Sequence, residues 1–187
     1  MLPAPGLFHV FVTRAGYCGI GWSGTLITRF LLPADREDAA TRLMLTRMPG
    51  GRAGEPRDLV AGALARARAY FEGERIDFSD LAIGLGGQPE FFRRIYGELR
   101  GVGWGSTTTY GALARAVGAG PERAREVGVA MAKNPMPLLI PCHRVLAAGN
   151  RIGGFSAPGG TGAKARMLEL EGYAAPAAAP SQPSLFD

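Results

Sequence analysis

A cysteine and a histidine stand side by side at the end of a proline-rich, apolar run. Cys142 precedes His143, and residues 134–141 contain three prolines among mostly apolar side chains. Proline fixes φ and lacks a backbone donor, so this run is incompatible with a regular helix or a central strand. A thiol beside an imidazole can form an activated nucleophile, whereas a lone cysteine most often only packs in a core. The pair is therefore a candidate nucleophilic site.

An acid that orients the base is the third part such a nucleophile needs. Glu169 and Glu171 are the acids between the cysteine and the C-terminal tail, and Glu171 directly precedes Gly172, which can end a helix. The helix dipole disfavours a carboxylate at that end, so we expect another interaction to hold Glu171 in place. An exposed acid at the end of a helix is the alternative.

Cysteine and histidine are too few for a disulfide framework or a four-ligand zinc site. The chain has two cysteines, Cys18 and Cys142, and two histidines, His9 and His143. We expect no metal and a reduced thiol in the cytoplasm. The 47% hydrophobic and 20% charged residues indicate a globular protein. No apolar run is long enough for a membrane span, and no secretory signal is expected at the N-terminus.

The positive charge of the chain is confined to its C-terminal half. Residues 1–90 contain ten Arg and ten Asp or Glu, whereas residues 91–187 contain eleven Lys or Arg and six acids. Within residues 91–151, which include the Cys-His pair, nine basic side chains accompany three acidic ones. This asymmetry is typical of a surface that binds a phosphate backbone, although a merely solvated basic face would have the same composition.

The predicted fold class is α+β. Residues 1–88 are predicted to form an N-terminal antiparallel β-meander with helices, in a ribonuclease-H-like layout that supports the second half. Its strands are predicted at residues 7–12, 17–22 and 25–32, ended by Pro33, with a short fourth strand near residues 81–83. Helices are expected from about Asp35 and from Pro56, and residues 84–88 form the linker.

Residues 89–173 are predicted to form a mostly helical, winged-helix-like DNA-binding domain. Thr109 is the expected N-cap of a helix over residues 110–117, and Pro121 starts a basic helix that ends near Lys133. Two helices joined by a short glycine turn match a helix-turn-helix. A last helix is expected to be capped by Thr161 and to end before Gly172, and residues 174–187 are expected to be disordered.

Residues 134–145 closely resemble the active-site signature of the O6-alkylguanine-DNA alkyltransferases, also called methylated-DNA–protein-cysteine methyltransferases. The resemblance extends to residues 108–111, 125–134 and 164–172, and it covers residues 89–173 as a whole. Residues 1–88 resemble the family only in layout. The family implies a protein that binds duplex DNA, flips out an O6-alkylguanine (and an O4-alkylthymine) and takes the alkyl group onto its own cysteine, once and irreversibly. The resemblance implies no cofactor, because the alkyl group comes from the DNA.

The resemblance also implies a role for each residue of the reaction centre. Cys142 would accept the alkyl group, and His143, oriented by Glu171, would take the thiol proton through a bridging water. Asn134 would brace the turn that holds the cysteine. Tyr110 would donate a hydrogen bond or proton to the departing guanine.

Further residues are implied in DNA binding and in the base pocket. Arg125 would enter the stack in place of the flipped base, on a helix that lies in the minor groove. The other implied DNA contacts are Arg123, Thr109, Ala130, Lys133 and Arg144. The implied pocket residues are Met131, Pro137, Val145 (through its carbonyl), Phe155 and Ser156. Phe155 replaces a frequent tyrosine, so the preference among alkyl groups stays open.

Two other functions and one further partner are compatible with parts of this pattern. A lesion sensor that binds DNA without chemistry would use only the helix-turn-helix, and a Cys-His hydrolase would use only the pair. The segment 182–186, Gln-Pro-Ser-Leu-Phe, is similar to the short peptides that dock on the DNA polymerase sliding clamp. We expect a monomer that works on the nucleoid in the cytoplasm, away from membranes.

Overall fold

The computed structural model describes residues 6–173 of the 187-residue chain. Its strands and longer helices are, in chain order, β1 Leu7–Thr13, β2 Gly16–Ser23, β3 Leu26–Ala34, α1 Glu37–Arg47, β4 Arg52–Ala53, α2 Asp58–Phe71, α3 Glu90–Arg100, β5 Thr108–Thr109, α4 Tyr110–Ala116, α5 Ala124–Ala132, β6 Val145–Leu146 and α6 Gly160–Leu170. Single turns of 3-10 helix occupy Pro121–Arg123, Cys142–Arg144 and Ala148–Asn150. The α+β class is confirmed, and no helix within residues 6–173 is long and apolar enough to cross a membrane.

The N-terminal half is a four-stranded sheet between two helices. The strand order is β3-β2-β1-β4, with antiparallel pairing throughout except for the parallel pair β1 and β4. Successive residues of β3 point to opposite faces: Leu31 joins a small core with Met44 of α1, whereas Phe30 and Leu32 join the larger core with α2. Alternating apolar residues thus bury both faces of the sheet.

The larger core continues from the sheet into the C-terminal half. It contains Cys18 of β2, Ala67 of α2, Ile95 of α3 and Cys142, all buried. This core crosses the predicted domain boundary between residues 88 and 89. The division into two domains therefore stays a prediction. A rigid common core fixes the position of the thiol relative to α2, although more than 70 residues separate them in sequence.

The C-terminal half contains the predicted helix-turn-helix, formed by α4 and α5. Thr109 caps α4 with a side-chain oxygen that accepts a hydrogen bond from the backbone N–H of Ala112 at 3.2 Å. The parallel pairing of β5 with β6 places Thr108 opposite Val145. This pairing brings Tyr110, which follows β5, close to Cys142, which precedes β6.

Several predicted boundaries differ from the structure. Pro33 does not end β3, which continues to Ala34, because this strand lies at the edge of the sheet, where an unpaired position tolerates proline. The predicted strand at residues 81–83 is a single bridge between Ile27 and Ile83, and the sheet gains β4 instead. Thr161 does not cap α6, since the helix begins at Gly160 after Gly159 in a left-handed conformation. The predicted disordered tail lies outside the described residues.

Thr109→Ala should destabilise the protein by about 1 kcal/mol, the usual loss for an N-cap oxygen. Urea unfolding measures this difference, and Thr109→Ser is the matched control because it keeps the oxygen. Equal stabilities for the Ala and Ser variants would contradict the capping role.

Candidate active site

Cys142 follows a loop that is held by hydrogen bonds of the Asn134 side chain. The amide nitrogen of Asn134 donates to the Ile140 carbonyl at 2.8 Å, and its oxygen accepts the Met136 N–H at 3.0 Å. Leu138, between these anchors, has φ of +83°, a region that non-glycine residues seldom adopt. The Cys142 N–H donates to the same Ile140 carbonyl at 2.8 Å. The Asn134 side chain therefore bridges the two ends of the loop that precedes Cys142, a geometry compatible with the bracing role implied for it.

The thiol faces a small cavity that is open to solvent. Cys142 is 5% exposed and lies in the wall of a space of about 340 Å³. The lining residues are Tyr110, Gly128, Met131, Ala132, Cys142, Gly154, Phe155 and Ser156. The structure thus brings together α4, α5 and the glycine-rich loop after β6 around one sulfur atom. Four predicted members of the site, namely Tyr110, Met131, Phe155 and Ser156, meet Cys142 here.

His143 is directed to Glu171 and away from solvent. Its Nε2 lies 2.8 Å from Glu171 Oε1, and both side chains are completely buried. An ionised carboxylate only accepts hydrogen bonds, so the imidazole proton lies on Nε2. Nδ1 is buried and has no hydrogen-bond partner among residues 6–173. The contact therefore leaves Nδ1 as the basic nitrogen.

Arg144 compensates for the burial of the Glu171 charge. Its Nε donates to Oε2 and its Nη2 to Oε1, both at 2.9 Å, and its Nη1 donates to the Val102 carbonyl at 2.5 Å. The Gly105 N–H donates to Oε2 at 3.3 Å. Burial alone would raise the pKa of Glu171, but the hydrogen bonds and charges of His143 and Arg144 lower it to about 2. Glu171 is therefore an anion at neutral pH.

The thiol and the imidazole are both neutral at rest. Burial raises the pKa of Cys142 to about 11, although a hydrogen bond with Asn134 and the charge of Lys164 oppose the rise. Burial lowers the pKa of His143, against the opposing hydrogen bond and charge of Glu171. At pH 7 the cysteine is a thiol and the imidazole is neutral. This combination requires the base to act during the reaction rather than before it.

Tyr110 occupies the cavity wall as a neutral phenol. It is the first residue of α4, and its position follows from the Thr109 cap and the pairing of β5 with β6. Burial, and then the nearby Cys142, raise the pKa of Tyr110. The hydroxyl therefore keeps its proton at neutral pH and can donate it to a group bound in the cavity.

Three basic side chains predicted to contact DNA lie on α5 or next to its two ends. Arg125 and Lys133 are exposed. Arg123 is partly neutralised, because its Nη2 lies 2.6 Å from Glu126 Oε2 and its guanidinium lies 3.7 Å from the centre of the Phe91 ring. Thr109 is half-buried and used as a helix cap. Helix α5 also borders the cavity through Gly128 and Ala132.

Four predicted assignments are corrected by the structure. Arg144 is 6% exposed and paired with Glu171, so its charge faces inward and not toward DNA. Ala130 is completely buried on the inner face of α5, where its carbonyl accepts the Tyr96 hydroxyl. Pro137 and Val145 are buried behind the cavity rather than in its lining.

Two buried polar side chains near the site were not predicted from the sequence. Lys164 is 1% exposed, and its Nζ donates to the Val145 carbonyl at 2.5 Å. Tyr70 of α2 is completely buried and donates its hydroxyl to Glu171 Oε1 at 2.8 Å. Helical spacing on an apolar face indicates only core positions, so the pattern contained no signal for either contact. No cluster of three or more His, Cys, Asp or Glu within residues 6–173 could hold a metal ion.

Part of the chain that contains the cavity is similar to known proteins. Residues 90–173 match the profile of the 6-O-methylguanine DNA methyltransferase, DNA binding domain. A methylated-DNA–protein-cysteine methyltransferase of Metallosphaera sedula is 48% identical over 111 residues, which are 59% of this chain and 67% of the relative. A protein of Thermus thermophilus named DNA base-flipping protein is 43% identical over 116 residues, 59% of this chain and 76% of the relative.

A solved structure extends the similarity to the N-terminal half. The Mycobacterium tuberculosis OGT in complex with DNA superimposes with a TM-score of 0.71 at 27% sequence identity. The match covers 89% of this chain and 93% of that chain. The four-stranded sheet and the helical C-terminal half are therefore shared with that structure.

Arg144→Met should destabilise the protein by about 3–5 kcal/mol near pH 7, because it leaves a buried carboxylate without its cation. The pKa of Glu171 rises in this variant, so its stability relative to the wild type should recover as the pH falls and Glu171 takes up a proton. The wild type behaves in the opposite way, since its Glu171 contribution is complete above the unfolded pKa of about 4.5 and is lost as the pH falls toward about 2. Urea unfolding at pH 7 and pH 4 measures both trends.

The paired variant Arg144→Met with Glu171→Gln is the control. It removes the unpaired charge and should regain part of the stability lost by Arg144→Met alone. A double variant that is no more stable at pH 7 than the single variant would contradict this account of the pair.

Proposed function

The chain belongs to the 6-O-methylguanine DNA methyltransferase family, and on this premise we propose that Cys142 accepts the alkyl group in the direct reversal of DNA alkylation. The substrate is an O6-alkylguanine in duplex DNA, with O4-alkylthymine as a second base of the same chemistry. One observation carries the assignment to Cys142: it lines a cavity proposed to take a flipped base, and the next residue, His143, is hydrogen-bonded to buried Glu171.

The proposed reaction begins with removal of the thiol proton. His143 Nδ1 takes this proton, through a bridging water, as the sulfur attacks the alkyl carbon. Glu171 supports the step because its anionic Oε1 holds the other imidazole proton on Nε2 and stabilises the imidazolium that forms. The resting thiol is poorly nucleophilic, so reaction depends on an alkyl carbon held in line with the sulfur.

The second part of the reaction is departure of the base. The carbon–sulfur bond forms as the carbon–oxygen bond breaks, and the electron pair of that bond goes to the guanine. Tyr110 donates its hydroxyl proton or a hydrogen bond to the anionic base, which is supported by its neutral state in the cavity wall. The thioether that remains on Cys142 has no ready route back to a thiol, so each molecule reacts once.

DNA binding is proposed for the exposed basic face of α5. Arg125 is the candidate side chain that fills the place of the flipped base, because it is exposed on the helix that borders the cavity. Exposed Lys133 is proposed to contact the phosphate backbone, whereas Arg123, paired with Glu126, is less available.

The decisive test is incubation with duplex DNA that contains one O6-methylguanine, followed by intact-protein and peptide mass spectrometry. We expect stoichiometric gain of one methyl group on the peptide that contains Cys142, and none in Cys142→Ser, which should still bind the DNA. Binding without transfer by the wild type would instead support a lesion sensor that binds DNA without chemistry.

A sliding-clamp partner is proposed for residues 182–186, which lie outside the described residues. Gln182, Leu185 and Phe186 offer one polar and two apolar anchors in a short peptide, which suits docking into a groove. This partner would bring a monomeric repair protein to replicating DNA in the nucleoid of the cytoplasm.

Deletion of residues 182–187 should abolish retention on immobilised clamp in a pull-down and leave methyl transfer to free duplex unchanged. Leu185→Ala with Phe186→Ala is the point-mutant control and should lose the same retention. Retention that survives the deletion, or its absence in the intact chain, would refute the clamp proposal.

A further inference from the structure

We infer that Tyr70, in the N-terminal half, is a positioning residue for proton transfer from Cys142. The inference rests on the proposed function, since it concerns the pair of His143 and Glu171 that would activate the thiol. Tyr70 lies on α2, outside residues 90–173 that match the family profile. Its hydroxyl nevertheless meets the oxygen of Glu171 that orients the histidine, at 2.8 Å.

Glu171 Oε1 is the point where three donors converge. Tyr70 donates to it at 2.8 Å, His143 Nε2 at 2.8 Å and Arg144 Nη2 at 2.9 Å. The Tyr70 oxygen also lies 3.4 Å from His143 Nε2. The hydroxyl is therefore close enough to influence both members of the His143–Glu171 pair, and it does so from the side of the sheet domain.

The phenol can only act as a donor to this carboxylate. Tyr70 is completely buried, and burial, followed by the charge of Glu171, raises its pKa far above the usual range. A neutral phenol has one proton, and an anionic carboxylate can only accept it. The hydrogen bond is thus present in every state in which Glu171 is ionised.

The position of Glu171 explains why this extra donor is needed. Glu171 is the C-cap of α6, where the helix carbonyls create a negative potential that repels a carboxylate. Arg144 compensates for the charge, and its two bonds define the plane of the carboxylate. Tyr70 adds a neutral donor from another element, which keeps Oε1 directed at the imidazole.

Aromatic packing holds the Tyr70 hydroxyl in place. Its ring meets Phe71 and Trp104 edge-to-face at centroid distances of 5.1 and 5.3 Å, and Phe78 in a tilted arrangement at 6.1 Å. Trp104 in turn precedes Gly105, whose N–H donates to Glu171 Oε2. One packed cluster therefore supplies donors to both oxygens of the carboxylate, so the N-terminal half completes the reaction centre.

Tyr70→Phe keeps the ring and removes the hydroxyl. Single-turnover methyl transfer at saturating O6-methylguanine duplex should slow on the order of tenfold, the effect expected for loss of a hydrogen bond to a charged group. The dissociation constant for the duplex should not change, because Tyr70 is buried away from the exposed face of α5. An unchanged rate constant would overturn the inference, as would slower transfer that is fully explained by weaker DNA binding.

A double-mutant cycle separates positioning from a loss of stability. In a Glu171→Gln background, Tyr70→Phe should have little further effect on the rate constant, because the carboxylate through which it acts is gone. Tyr96→Phe is the matched control, since it also removes one buried hydroxyl, bonded instead to the Ala130 carbonyl at 2.7 Å. Its effect should be additive with Glu171→Gln, and additive effects for Tyr70→Phe would refute the inference.

Two further readouts cover the remaining outcomes. If Glu171→Gln abolishes measurable transfer, the NMR resonance of the His143 Nε2 proton decides: a shift in Tyr70→Phe supports the inference and an unchanged resonance overturns it. Wild-type protein that gains no methyl group would refute the proposed function itself. Wild-type transfer together with a fully active Tyr70→Phe would refute only the role of Tyr70.

Discussion

Burial of the Glu171 charge is the constraint on which the reaction centre depends. A carboxylate without solvent is strongly destabilised unless cations and donors surround it, and Glu171 is 4% exposed. Arg144 provides the cation, and His143, Tyr70 and Gly105 provide further donors. These partners come from α2, the loop before β5 and the turn that carries the cysteine. Satisfying one charge therefore ties three parts of the chain together around the thiol.

The same constraint explains how a cysteine can be both buried and reactive. With a pKa raised to about 11, Cys142 rests as a thiol, which is a weak nucleophile toward electrophiles in solution. His143 is neutral at rest, and Glu171 holds its single ring proton on Nε2. Reactivity then appears only when an alkyl carbon is placed in the cavity. Such selectivity suits an acceptor that can be used once.

Local patterns in the sequence predicted much of the fold, whereas the roles of the site residues were predicted from the resemblance to a known family. Alternating apolar residues predicted β1 to β3, and the cap at Thr109 and the proline at 121 predicted the helix-turn-helix. The place of Glu171 before Gly172 made it a candidate for the orienting acid, and the family resemblance assigned it that role. Arg144 was predicted as a DNA contact from the family resemblance, and the sequence does not reveal that a distant acid neutralises its charge. Tyr70 was missed because 101 residues separate it from Glu171, and only tertiary packing brings them into contact.

The reaction proposed for Cys142 requires that Glu171 holds the imidazole proton of His143 on Nε2 and leaves Nδ1 free to take the proton of Cys142. Nitrogen-15 NMR of protein labelled in histidine measures this most directly, with His143 assigned by comparison with His143→Gln. We predict at pH 7 a neutral imidazole with a protonated Nε2 and an unprotonated Nδ1, and loss of that preference in Glu171→Gln. A proton on Nδ1 in the wild type, or an imidazolium at rest, would contradict the account.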